Sequence, residues 1–167
     1  MTEKKTTYLG LGTNTGNRKE NLTRAIEELS LALGSCIAQS SFMETEPWGF
    51  ESENRFLNCA VAFTTDKDPV ELLDTTEEIE RRLGRTQKSS DGVYHDRIID
   101  IDILLYGSET ISTERLTIPH PLMHKRDFVL EPLAEIAPDV IHPIIRKSIN
   151  DLLQEIKNEE LAGTRLC

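Results

Sequence analysis

Apolar residues along this chain recur with two periods, and the switches between them mark its elements. Leu22, Ala25, Ile26, Leu29 and Leu33 lie three and four positions apart, the spacing of one helix face, and Gly34 reads as the stop. DPVELLDTTEEIERRLG reads as a second helix: Asp68 caps it, Pro69 takes its first position and Gly84 lies just past its end. Leu72, Thr76, Ile79 and Leu83 form its inner stripe. SINDLLQEI reads as a short last helix with Ser148 as its cap. Elsewhere the period drops to two. TTYLGLGT, residues 6–13, reads as a first strand that ends in a glycine-bearing loop, and residues 37–45 have modest strand character. RFLNCAVAFTTD puts Leu57, Cys59, Val61 and Phe63 on one face and Phe56, Asn58, Ala60 and Ala62 on the other. Residues 98–106 form another strand, and GSETIS turns into a short edge strand. LTIPHPLMHKRDFVLEPLAEIAPD begins extended, breaks at Pro119 and Pro121 and becomes helical. TEPWGFESEN and the polar stretch 85–97 read as loops. Hairpin-like strand pairs with two long helices predict an α+β fold, its helices packed on an antiparallel or mixed sheet.

The strand 98–106 breaks its own pattern. Ile99, Ile101, Ile103 and Leu105 give one wholly apolar face. The other face carries Ile98, Asp100, Asp102, Leu104 and Tyr106. Carboxylates are rarely buried unless paired or bound to a cation. Two on one strand face have α-carbons roughly 6.6 Å apart, at about 3.3 Å per residue. That suits oxygens converging on hard cations, since paired Mg²⁺ ions in phosphoryl-transfer sites lie about 3.5–4 Å apart. Mg²⁺ typically takes one or two carboxylates and completes its shell with water and phosphate oxygens. The plainer alternative is a half-exposed sheet on which both acids meet water. Neighbouring cations favour the first reading. Arg97 lies three residues before Asp100, Arg85 opens the polar loop, and His120, His124, Lys125 and Arg126 crowd into PHPLMHKR. Cations beside a metal–carboxylate centre match the needs of a polyphosphate. His120, between two prolines, is either a phosphate contact or a structural hydrogen-bonder.

Composition narrows the field. The 167 residues are 38% hydrophobic and 29% charged, as in an ordinary globular protein, and read as one domain, 1–167. A net charge of −10 argues against a sequence-independent grip on nucleic acid, yet leaves room for cations gathered at one site. Three scattered cysteines, Cys36, Cys59 and Cys167, have no CxxC spacing, and Cys59 reads as a small buried hydrophobe. No run approaches ~18 apolar residues and the N-terminus lacks a signal-peptide core, so no membrane contact and a cytoplasmic location are expected.

Two further patterns bear on ligands. Glycines at 10, 12 and 16 miss the G-x-G-x-x-G spacing by one, and no Walker A lysine follows. The stretch reads instead as a tight turn from which Thr13 and Asn14 could reach a ligand. Trp48 and Phe56, with the amide of Asn58, could form a flat slot with one hydrogen-bonding edge, suited to a heterocycle; core packing and a turn role are the plainer reading.

RIIDIDILLYG, with Gly84-Arg85 twelve residues upstream of Arg97 and LTIPHPLMHKRDFVLEPLAEIAPD behind it, resembles the 6-hydroxymethyl-7,8-dihydropterin pyrophosphokinase family of folate synthesis. The likeness runs from YLGLGTN to INDLL. It implies a ferredoxin-like α/β/α sandwich with a mostly antiparallel sheet. It also implies transfer of the β,γ-pyrophosphoryl group of ATP to the pterin, release of AMP and two Mg²⁺ ions. By resemblance Asp100 and Asp102 are the metal ligands, and Arg85, Arg97, His120 and Arg126 are the catalytic positions around the triphosphate. Glu80, Lys88, Ile103 and Thr117 fall at ATP-binding positions. Thr45, Trp48, Phe56, Asn58 and Phe128 fall at pterin-pocket positions, with Phe56 and Phe128 expected to sandwich the ring. His95-Asp96 stand where Gly-Pro is common, and Gln87 where a second arginine often stands. ATP and hydroxymethyldihydropterin are then the expected partners of a monomer. A non-catalytic ligand-sensing module and an ordinary kinase for the same pterin are the rival readings.

Overall fold

The computed structural model describes residues 4–45, 55–84 and 98–166. Strand β1 (Lys5–Thr13) leads into helix α1 (Arg18–Leu33), then strands β2 (Cys36–Gln39), β3 (Met43–Thr45) and β4 (Phe56–Thr65). Helix α2 (Pro69–Gly84), strand β5 (Asp100–Tyr106) and the small pair β6 (Ile111–Ser112) and β7 (Thr117–Ile118) follow. A 3₁₀ turn at Met123–Lys125 introduces helices α3 (Asp127–Ile136) and α4 (Ile149–Leu166).

The main sheet runs β2-β4-β1-β5, with β3 also on β4, and its pairings are antiparallel. Because β2 and β3 both lie along β4, they act as one interrupted edge strand. The result is a β-α-β-β-α-β ferredoxin-like order, as the sequence predicted. One core fills the space between the sheet and the first helix pair, with Leu9, Leu11, Phe63 and Ile101 against Leu22, Leu29, Leu72 and Ile79. A second core joins Ala60, Leu104 and Leu105 to Leu130, Leu133, Ile149 and Leu152 on the opposite face. A sheet covered on both faces explains why β4 is apolar almost throughout. Each fully buried leucine contributes about 1.5–3 kcal/mol. Cys59 is 1% exposed, a small core residue as expected, and burial pushes its thiol up to about 12.

The caps follow the sequence closely. The Glu71 amide donates to the Asp68 carboxylate at 2.8 Å and the Asp68 amide to Glu71 at 3.2 Å, a reciprocal capping box ahead of Pro69. Gly34 ends α1 at φ 106, a conformation open to glycine, and the Asp151 amide donates to Ser148 Oγ at 3.1 Å.

Four expectations need correction. The strand predicted from residue 98 begins at Asp100. Its alternation also fails near the end. Tyr8 pairs with Leu105 but Leu9 with Ile103, so Leu104 is an extra residue in the ladder. This bulge sends Leu104 and Leu105 together into the second core and turns Tyr106 into the first. The last helix runs to Leu166 instead of stopping near Ile156, because KNEEL has high helix propensity although its residues 157–160 are exposed. Gly84, expected just outside α2, closes it from within.

Candidate active site

Alternation along three neighbouring strands assembles one face. Asp100 stands across from Gly12, and Asp102 across from Gly10. On the far side of β1, Gly12 pairs with Asn58 and Gly10 with Ala60. A Cβ on Gly12 would meet Asn58 Oδ1 at 2.7 Å, and one on Gly10 would meet Leu104 Cδ1 at 3.3 Å. These residues therefore share the face that α3 and α4 cover farther along. Opposite each aspartate β1 carries only hydrogen, and the side chains of Asn58 and Leu104 close over that space. Both aspartates keep intermediate exposure while Ile101 and Ile103 between and beyond them are buried.

β5 is the sheet edge, and two groups hold its outer side. The Ile101 amide donates to Glu80 Oε2 of α2 at 2.9 Å, which fixes the residue between the two acids. The His120 amide donates to the Leu104 carbonyl at 3.1 Å, so the bulge anchors the PHP segment. Asp102 raises and Arg126 lowers the affinity of His120 for a proton, but burial is the strongest influence, and His120 titrates below its ordinary value. It is neutral near pH 7. Its Nδ1 accepts the Leu122 amide at 3.2 Å, which leaves the proton on Nε2 as a donor. Asp102 and Arg126 thus act on His120 in opposite directions. Arg126 also places its guanidinium carbon 5.6 Å from the centre of the Phe128 ring.

The aromatic side of the site lies along β4 and the first turn of α3. Phe56 and Asn58 point to the α3 side, Asn58 is 7% exposed, and Phe128 is half-buried. Thr45 pairs with Phe56 across β3 and β4. Thr117 is exposed on β7, beside the edge of β5. Ile103 packs its side chain into the first core at 5% exposure, so only its backbone is open to a nucleotide. Thr13 and Asn14 are corrected: both are buried, Thr13 Oγ1 accepts from Asn21 of α1 at 3.3 Å, and Asn14 Oδ1 accepts the Thr15 hydroxyl. Trp48, Arg85, Lys88 and Arg97 lie outside the described residues, as do His95, Asp96 and Gln87.

The donor set fits Mg²⁺. Among the described residues no group of three or more His, Cys, Asp or Glu could form an all-protein metal cage. Two carboxylates on an open face suit an ion that brings phosphate oxygens and water.

Sequence reading missed two polar networks around the aromatic side. Arg18 donates to the Arg55 carbonyl at 2.7 Å and to Glu44 at 3.0 Å, tying the start of α1 to β3 and to the residue before β4. Glu135 accepts from both the amide and the hydroxyl of Ser41, at 2.8 and 2.9 Å. Neither follows from periodicity, because both join exposed residues of distant elements.

A family model for 7,8-dihydro-6-hydroxymethylpterin pyrophosphokinase matches residues 8–138. The chain belongs to this family. A Porphyromonas gingivalis 2-amino-4-hydroxy-6-hydroxymethyldihydropteridine pyrophosphokinase is 50% identical over 137 residues, 81% of this chain and 92% of that protein. The Aquifex aeolicus enzyme of the same name is 43% identical over 150 residues, 90% of this chain and 91% of that one. Among solved structures, a Plasmodium falciparum HPPK-DHPS protein superposes with a TM-score of 0.74 at 18% identity. The match covers 92% of this chain and 44% of that longer one, and carries the fold. The protein is therefore a pyrophosphokinase-family enzyme, which removes the sensing module as its primary reading. Among the described residues no helix is long and apolar enough to cross a membrane.

Proposed function

We propose that this chain transfers the β,γ-pyrophosphoryl group of ATP to the hydroxymethyl oxygen of 6-hydroxymethyl-7,8-dihydropterin, releasing AMP, as a step of folate synthesis. The observation that carries this reading is the pair of aspartates facing Gly12 and Gly10 of β1, on the strand to which the His120 amide ties the PHP segment. The pterin oxygen attacks the β-phosphorus, the bond from that phosphorus to the α–β bridging oxygen breaks, and AMP carries that oxygen away. Asp100 and Asp102 would hold two Mg²⁺ ions, which when bound neutralise the phosphate charge. Arg126 offers a planar fork to phosphate oxygens. Neutral His120 donates its Nε2 proton to one such oxygen without adding charge. Arg85, Lys88 and Arg97 supply the remaining cations, while Glu80, Thr117 and the backbone of Ile103 bound the nucleotide.

On the pterin side, Phe56, Phe128 and Trp48 enclose the ring, Asn58 reads its polar edge and Thr45 lines the rim. Hydrogen-bonding sites discriminate best between heterocycles. No side chain among the described residues stands out as a general base. Positioning and charge stabilisation carry much of phosphoryl-transfer catalysis elsewhere.

Incubation with ATP, Mg²⁺ and the pterin tests the proposal by product. AMP supports pyrophosphoryl transfer, ADP would mean an ordinary kinase, and neither would restore the sensing module.

A further inference from the structure

The edge strand beside the aromatic side is broken, and the break is bonded to α3. At Ser40 the chain leaves β2 while keeping its place on β4: the Ser40 amide donates to the Ala60 carbonyl at 2.9 Å, and Ser40 Oγ accepts the Ala60 amide at 2.9 Å. The next residue turns outward. Ser41 presents its amide and its hydroxyl to the two oxygens of Glu135, at 2.8 and 2.9 Å. β3, only Met43–Thr45, starts two residues later and pairs with the stretch of β4 that carries Phe56 and Asn58.

Glu135 sits near the end of α3 and Phe128 in its first turn, seven residues earlier, about 10 Å along the axis at ~1.5 Å per residue. α3 packs across both β4 and β3. One helix, with Pro132 between them, thus carries Phe128 at one end and the edge-strand bond at the other. Helix electrostatics give no local reason for that carboxylate. An acid in the last turn opposes the helix dipole, and the last turn of α3 holds no basic residue. The contact that uses Glu135 is the one to Ser41.

We propose that Glu135 and Ser41 form a clamp that sets the gap between the Phe56–Asn58 wall and the Phe128 wall, and so determines affinity for the planar heterocycle. Glu135 is a positioning residue in this account, since it acts through α3. The inference rests on the pterin reading of the slot and extends it to a residue outside the slot.

The test measures equilibrium binding of 6-hydroxymethylpterin and, separately, of a non-hydrolysable ATP analogue with Mg²⁺. Glu135→Ala is expected to weaken pterin binding about fivefold, the worth of roughly 1 kcal/mol of exposed charge-assisted hydrogen bonding, and to leave nucleotide binding within about twofold. Ser41→Thr keeps both donors and is expected to bind as the parent does. Ser41→Ala keeps only the amide and should fall between. The double variant Glu135→Ala/Ser41→Ala should be no weaker than Glu135→Ala, because both remove one interaction. Unchanged pterin affinity in Glu135→Ala would overturn the clamp and leave the function standing. Equal loss of pterin and nucleotide affinity would also overturn it, as the mark of general loosening. A parent protein that binds no pterin would overturn the functional reading and the clamp with it.

Discussion

Gly12→Ala is a one-carbon change whose effect can be worked out from the coordinates. Gly12 pairs with Asn58 on one side and Asp100 on the other. The added Cβ would stand 2.7 Å from Asn58 Oδ1 and 3.8 Å from Phe56 Cδ1, where ordinary contact begins near 3.4 Å. Asn58 must therefore retreat by about 0.7 Å, and at 7% exposure it has little room. Overpacking of this kind costs about 1–3 kcal/mol, offset by about 0.5–1 kcal/mol from replacing a strand glycine. The variant should stay folded, less stable by up to about 2 kcal/mol. Binding suffers more specifically. If Asn58 reads the edge of the pterin, re-aiming its amide forfeits about 1–3 kcal/mol, or roughly 5- to 150-fold in affinity. Gly10→Ala is the control, since its Cβ meets a flexible Leu104 methyl at 3.3 Å. Titration calorimetry with the pterin, alongside urea denaturation, separates the two effects. A folded Gly12→Ala protein with the parent's pterin affinity would refute the role given to Asn58.

Asp100→Ala and Asp102→Ala should each lower AMP formation by about 10³-fold or more while the circular dichroism spectrum and pterin affinity are retained; near-parental turnover in both would remove the metal assignment. A non-hydrolysable ATP analogue with Mg²⁺ should raise the melting temperature of the parent and leave Asp102→Ala nearly unchanged, and an equal rise in both would place the nucleotide elsewhere. Burial holds His142 below its ordinary 6.5, aided by nearby His124, and His120 is also lowered, chiefly by burial. As pH falls below about 6.5 the unfolded chain gains these protons before the folded one, so stability should fall with falling pH. His142→Asn keeps an acceptor for the Ile144 and Ile145 amides and cannot titrate, so its denaturation midpoint should drop less between pH 6.5 and 5; an identical drop would show that His142 is not responsible.

Periodicity carried much of the architecture because most elements bury one regular face. The stripes of α1 and α2, the Asp68 cap and the two faces of β4 were all legible. The bulge at Leu104 was not. Residues 103–106 read Ile-Leu-Leu-Tyr, and four apolar side chains in a row give no sign of where alternation slips. The length of α4 was hidden for the opposite reason: residues 157–160 are exposed and carry no apolar stripe. In the site, spacing alone put Asp100 and Asp102 together, but their partners required the fold. Gly10 and Gly12 read as turn residues, whereas in β1 they make room for the side chains of Asn58 and Leu104. Thr13 and Asn14 had looked available for a ligand, and the same strand geometry that frees the glycines buries them.

Partial exposure answers how an apolar ribbon tolerates two acids. Two like charges roughly 6.6 Å apart repel by about 2.5 kcal/mol at an effective dielectric near 20. Full burial would add several kcal/mol of desolvation for each. The structure avoids the second cost: Ile101 and Ile103 face the core, while Asp100 and Asp102 keep partial access to solvent. A divalent ion between the two acids would turn the first into attraction. Substituting Gly12 displaces Asn58 and so attacks the site from the strand that contributes no functional side chain to it.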